Sequence, residues 1–104
     1  MALGELHSAQ ADFAEVIKPG RAEGVSALAR IHASFNLAIC QYLLGDWDHG
    51  AAHAEQAVTE TDLGGFYPHT GIVRAWAAII AAGQGRWRTA REHLDASRHH
   101  IPLP

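Results

Sequence analysis

The sequence predicts an all-α fold, a short solenoid built from antiparallel helix-turn-helix units. Three observations carry that expectation. Twenty of the 104 residues are alanine, the strongest helix former. No stretch alternates apolar with polar residues over a strand length, and β-branched residues are few. Glycine and proline fall at the edges of apolar segments, where a left-handed C-cap or a missing backbone donor ends a helix.

Five helices follow in order. The first spans about Leu3 to Ile17, with Leu3, Leu6, Phe13 and Ile17 on one face, and stops at Lys18-Pro19-Gly20. A second spans about Ala22 to Leu44, carries the stripe Leu28, Ile31, Phe35, Ile39 and Tyr42, and ends at Gly45. The third opens after Asp46, a candidate N-cap, and runs to about Thr61, leaving through Leu63-Gly64-Gly65 and a loop to Pro68. The fourth covers about His69 to Ala82. The fifth covers about Trp87 to His99 and is closed by Ile101-Pro102.

Composition bounds the classes of function. A chain of 104 residues and 11.2 kDa supports one domain and one modest core, hiding roughly 65% of its unfolded surface. With 8 Lys+Arg against 11 Asp+Glu the net charge is −3, which draws the chain neither to nucleic acid nor to an anionic membrane. Cys40 is the single cysteine, so no internal disulfide or multi-cysteine zinc site forms, in keeping with a reducing compartment. The N-terminus lacks a signal-peptide pattern, and the most apolar window, 72–83, contains Arg74 and is far short of the ~20 residues a bilayer requires. A cytoplasmic location is expected.

An internal repeat organises the chain. Shifting the sequence by 40 residues superimposes Gly45 on Gly85, Trp47 on Trp87, His53 on His93, Ala38 on Ala78 and Ile39 on Ile79. The glycines sit at the same helix-to-helix turn, and the tryptophans open the following helix in both copies. One domain therefore spans 1–104: a leading helix over 1–20, a first repeat over 21–70 with an extended first helix, and a second over 71–104. Helix pairs of this kind bury their faces by stacking, with small residues at close crossings. Ala38, Gly50 and Ala57 fit the crossings in one copy, and Ala78, Ala90 and Ser97 match them in the other. Neither end is polar enough to cap the array, so an apolar end face is expected to be exposed, and with it self-association or membership of a longer chain.

The run Leu43-Leu44-Gly45-Asp46-Trp47-Asp48, followed by Ala51, Ala52 and Ala57, resembles the turn and second helix of a tetratricopeptide repeat. Gln84-Gly85-Arg86-Trp87-Arg88-Thr89-Ala90 resembles the next one, and Pro102 sits where such a repeat often ends. The 40-residue period is longer than the usual 34, and Ser34 and Arg74 stand where a large residue belongs. In this the chain is similar to the degenerate repeats of large LuxR-type transcriptional regulators related to the maltose-regulon activator, over about residues 21 to 104. In that family an ATPase module precedes the repeats and a DNA-binding helix-turn-helix follows them. This sequence contains neither a phosphate loop nor a basic recognition helix. The resemblance implies a non-catalytic domain that binds a protein or peptide or senses a small effector, without contacting nucleic acid or membrane itself.

On tetratricopeptide-like packing, the first helix of each pair lines the concave face, with His32, Phe35, Asn36, Ile39 and Tyr42, then Ile72, Ala75 and Ile79, facing a ligand peptide. The alternative is that Phe35 and Ile39 are core against the leading helix. A free-standing scaffold acting as a homodimer through Leu3, Leu6, Phe13 and Ile17 is a second reading. An oligomeric enzyme with a site between chains is a third.

Chemistry-bearing residues point to no catalyst. His49 and His53 have the i,i+4 spacing of a metal pair, with Asp46 a turn earlier. A zincin would place Glu where Gly50 stands, and no third ligand follows on that face, so no metal or other cofactor is expected. His53 and His93 read as equivalent positions near the helix-pair interface, with His49 exposed. Cys40 has no basic neighbour and reads as a core thiol. Charge is segregated: residues 31 to 73 hold Asp46, Asp48, Glu55, Glu60 and Asp62 and no Lys or Arg, hence −5. From Arg74 onward five Arg face Glu92 and Asp95, hence +3. Asp46 and Asp48 correspond to Arg86 and Arg88, placing opposite signs on one edge of the stack. Exposed pairs of this kind are worth about 0–1 kcal/mol, enough to favour a register rather than to hold the fold.

Overall fold

The computed structural model describes residues 3–18, 26–64 and 67–98, the first three residues of the last segment by backbone alone. Five helices account for nearly all of it: α1 (Leu3–Val16), α2 (Ala27–Leu43), α3 (Trp47–Gly64), α4 (Tyr67–Gly83) and α5 (Trp87–Arg98). There is no strand among the described residues. Each helix packs chiefly on its chain neighbours, α1 on α2, α2 on α3, α3 on α4 and α4 on α5, which is the serial stacking of an α-solenoid.

The two repeat turns are the same structure. After α2, Gly45 takes φ +87°, its amide donates to the Tyr42 carbonyl (3.1 Å), and the Asp46 amide reaches back to the Gln41 carbonyl (2.8 Å). After α4, Gly85 takes φ +77°, its amide donates to Ala82 (2.9 Å), and the Arg86 amide to Ala81 (2.9 Å). Both are Schellman closures, in which only glycine occupies the left-handed position without strain.

Small residues then let the helices approach closely. Ala38, Ala57, Ala78, Ala90 and Ser97 are all buried, as is Gly50. A Cβ on Gly50 would lie 3.2 Å from the Ala38 carbonyl oxygen, so α3 lies close against the α2 backbone at this crossing. The main core cluster joins Ala38 of α2 and Ala51, Ala54, Ala57 and Val58 of α3 to Val73, Ala77 and Ile80 of α4. A second cluster, Ala78, Ala81 and Ala90, seals α4 on α5, where the Ser97 hydroxyl also donates to the Gly71 carbonyl (3.0 Å).

Several boundaries shift from the sequence expectation. α2 begins at Ala27, because the Ser26 hydroxyl caps it by accepting from the Ala29 amide (3.1 Å). α3 continues through Leu63 and Gly64 rather than stopping near Thr61, whose hydroxyl bonds back to the Ala57 and Val58 carbonyls and satisfies itself within the helix. α4 starts at Tyr67, with Pro68 in its first turn, where the absent amide costs nothing. The buried face of α2 is also rotated from the expected stripe: Ile31, Ser34, Ala38 and Gln41 are buried along with Ala33, Leu37 and Cys40, whereas Leu28, Phe35, Ile39 and Tyr42 are half-buried. Two faces of α2 are covered, by α1 and by α3, so the large Ile31 and Leu37 go inward together with Ala33, Ser34 and Ala38. The expected stop at Pro19-Gly20, the start near Ala22, Gly65, the end at His99 and the close at Ile101-Pro102 lie outside the described residues. No helix of the described residues is long and apolar enough to cross a membrane.

Candidate interaction surfaces

Offset symmetry predicts that His53 and His93 do the same work, and the structure gives them different partners. In the first repeat, His53 Nδ1 lies 2.8 Å from Gln41 Oε1 and 3.0 Å from the His49 carbonyl. Both are acceptors, so Nδ1 carries the proton and ties α3 to α2. Burial makes the charged imidazole unfavourable and lowers the His53 pKa, with the bond to the His49 carbonyl opposing that shift.

In the second repeat, His93 is buried at 6% exposure and bridges three helices. Its Nε2 lies 2.5 Å from Glu55 Oε1 of α3, and its Nδ1 lies 3.2 Å from Arg74 Nη1 of α4. Arginine can only donate, so Nδ1 accepts and Nε2–H donates to the carboxylate. Arg74 continues the chain to Asp62 through an ion pair. The His93 hydrogen bond is the main reason that the Glu55 carboxyl sits below its ordinary range, assisted by the charges of Arg86 and Arg74 against the cost of burial. Arg74, which the repeat pattern places where Ser34 stands, is thus a strut between repeats.

The turns are joined along the edge predicted from their charges. Gln84 Nε2 donates to Asp48 Oδ1 (2.9 Å), and Arg86 Nη1 donates to Gln84 Oε1 (3.2 Å). The opposite signs meet through a glutamine relay rather than in direct contact. Asp46 precedes α3 as expected of a cap, but its carboxylate accepts from His49 Nδ1 (2.9 Å). His49 and His53 therefore each have a partner of their own, and among the described residues no three His, Cys, Asp or Glu side chains gather as a metal site. Cys40 is buried, and burial raises its thiol pKa.

The residues expected to face a ligand divide. Phe35 and Tyr42 pack against the main core cluster, and the Asn36 amide donates to the His32 carbonyl of its own helix (2.7 Å). Ile39 and Ala75 are half-buried, His32 is exposed, and Ile72 and Ile79 are exposed at 54% and 44%. Of the expected self-association face, Leu6 is buried within the chain at 8%, Phe13 and Ile17 are half-buried, and Leu3 is open at 64%. The two tryptophans also part company. Trp47 stacks on Tyr42 with ring centroids 5.8 Å apart and donates Nε1–H to the Tyr42 carbonyl (3.1 Å). Trp87 is 69% exposed, since the residue matching Tyr42 is Ala82 and offers no ring.

Trp87 instead borders a groove of about 540 Å³ along α4 and α5, lined by Ala78, Ile79, Ala82, Trp87, Ala90, Arg91, Leu94, Asp95 and Arg98. Subtracting 40 from each number gives Ala38, Ile39, Tyr42, Trp47, Gly50, Ala51, Ala54, Glu55 and Val58. Ala38, Ala51, Ala54 and Val58 form the seat on which Val73, Ala77 and Ile80 of α4 rest, with Tyr42 packed beside them. The groove is thus the second repeat's copy of the surface that α4 covers in the first. Six of the nine positions differ, and two of the changes bring in charge: Ala51 becomes Arg91 and Val58 becomes Arg98. Sequence reasoning led to an exposed end face without these residues; carrying the buried positions of α3 forward by one period would have found them. Comparison of the chain with protein-family models, with curated proteins and with solved structures gives no match.

Proposed function

We propose that this chain is a non-catalytic interaction domain whose working surface is the α4–α5 groove, where it receives an α-helix from a protein partner. The observation that carries this reading is the register of the groove: the same surface one repeat earlier is a helix seat, filled by α4. The groove keeps the backbone register of that seat, with Ala78 in the place of Ala38 and Arg91, Leu94 and Arg98 in the places of Ala51, Ala54 and Val58. Exposed apolar residues, Ile79, Trp87 and Leu94, supply the contact area, and Arg91 and Arg98 at the margin supply orientation. Against catalysis stands the use of the polar side chains. Glu55, Asp62, Arg74 and His93 are spent on one another between helices, and the groove's ionisable lining is Arg91, Asp95 and Arg98, with no base beside a nucleophile.

Read with the resemblance of residues 21 to 104 to the repeats of large LuxR-type regulators, the domain is the partner- or effector-sensing portion of such a regulator, in the cytoplasm. The test is selection from a library of helical peptides displayed on phage, followed by amide chemical-shift mapping of the winners on the labelled protein. Peptides that shift Ile79, Trp87 and Leu94 and lose binding to the Leu94→Glu variant support the proposal. An unenriched pool, or winners that shift residues elsewhere, overturns it.

A further inference from the structure

One helix with chemistry to match the groove is present in the chain itself. On α1 the exposed residues include Gly4, Glu5, Ser8, Ala11 and Asp12, and its ionisable side chains other than His7 are Glu5, Asp12 and Glu15, all acidic. Glu5 and Asp12 are seven residues apart, as are Arg91 and Arg98 on α5. Seven residues make about two turns and ~10.5 Å of rise, so the two pairs share one pitch and one face of their helices. Among the described residues none of these four side chains is in an ion pair. The small Gly4, Ser8 and Ala11 leave room for the projecting Trp87 and Leu94, as Gly50 and Ala38 do for each other within the fold.

From this we infer that the occupant of the α4–α5 groove is α1 of a second copy of the chain, docked head to tail with Glu5 and Asp12 set against Arg91 and Arg98. The inference rests on the groove being a helix seat and adds the identity of the helix. Continuity supports it, since the contact prolongs the α3–α4 packing beyond α5. The donor face is the side of α1 turned away from α2, so Leu6 stays in its own core. Because the two surfaces differ, the contact is heterologous: each bound copy offers a fresh groove, and association runs on past the dimer rather than closing. A homodimer through one shared face would stop at two.

Sedimentation velocity over a wide concentration range tests this, using the wild type, R91E/R98E and E5R/D12R, each checked for helicity by circular dichroism. All four side chains are exposed, so the substitutions are expected to leave the fold intact. The wild-type mass should rise with concentration past two chains and fall as salt rises from about 0.05 to 0.5 M. Each variant alone should associate at least about tenfold more weakly. Mixed, the variants should recover association, because each then meets a partner of opposite sign. A wild type that remains one chain throughout overturns the inference, as does association indifferent to both variants or failing to recover on mixing. Those outcomes leave the peptide selection to decide whether the groove takes helices at all, so the two proposals fail separately.

Discussion

The first and second repeats turn on the same Schellman closure, with matching bonds of 2.8 and 2.9 Å from Asp46 and Arg86, yet their outer surfaces differ. In the first, α4 covers α2 and α3, Tyr42 and Trp47 stack, and Gly50 lets α3 lie close against the α2 backbone. In the second, Ala82 and Ala90 replace Tyr42 and Gly50, the tryptophan stands open, and arginines line the seat. A period in sequence therefore transmits local structure faithfully. What a repeated side chain does depends on its partners, and these need not repeat.

The histidines give the largest test of that distinction. His93 couples α3, α4 and α5, whereas His53 ties only α3 to α2. Replacing His93 by alanine empties a buried position and deprives both Glu55 and Arg74 of a partner, an expected loss of about 3 kcal/mol. The same change at His53 is expected to cost about 1 kcal/mol, because the side chain is half-buried and bonds within one repeat. Urea unfolding of the two variants measures both, and equal losses would mean that His93 is no more a strut than His53. Hydrogen exchange should further show α5 opening ahead of α2 and α3 in H93A.

The tryptophans follow. Trp47→Ala removes a stacked ring and its bond to the Tyr42 carbonyl, and is expected to cost about 2 kcal/mol. Trp87→Ala is expected to cost less than about 0.5 kcal/mol, since the ring is largely in water. Thermal melts of the two variants decide it. A Trp87 variant as unstable as the Trp47 variant would mean that the second seam is covered in solution, which would remove the groove as a free surface.

The fold class, the turns, the small residues at crossings and the exposed end were all legible in the sequence, because each is set by residues within one repeat. Gly45 and Gly85 announce their own backbone conformation, and Ala38 and Ala78 their own close contacts. The polar struts were not legible. His53 and His93 are identical at offset 40, but Gln41 corresponds to Ala81, Glu55 to Asp95 and Arg74 to Ser34, so no local pattern says whom each histidine meets. Arg74 and Asp62 lie in different helices, and only the stacking angle brings them together. The rotation of α2 was hidden for a similar reason. A single stripe marks the buried face of a helix with one neighbour, and α2 has two, so Leu37 and Cys40 off the stripe are buried while Phe35, Ile39 and Tyr42 on it are only half-buried.

The smallest effect separates the repeats by pH. The His53 pKa is lowered in the fold from its ordinary value near 6.5, chiefly by burial, so the folded chain binds this proton less readily than the unfolded one. Its contribution is complete above pH 6.5 and is lost as pH falls through the depressed value. Glu55 is also depressed, from about 4.5, but through its hydrogen bond with His93 between repeats. That contribution is complete above pH 4.5 and disappears only in stronger acid. Acidification should thus remove the contribution of His53 before it removes that of Glu55. Stability followed by urea unfolding from pH 7 to pH 3 should fall in two stages. His53→Gln should flatten the upper stage and Glu55→Gln the lower. If His53→Gln leaves the decline between pH 7 and pH 5 unchanged, the imidazole does not resist protonation in the fold, and the asymmetry between the two histidines rests on geometry alone.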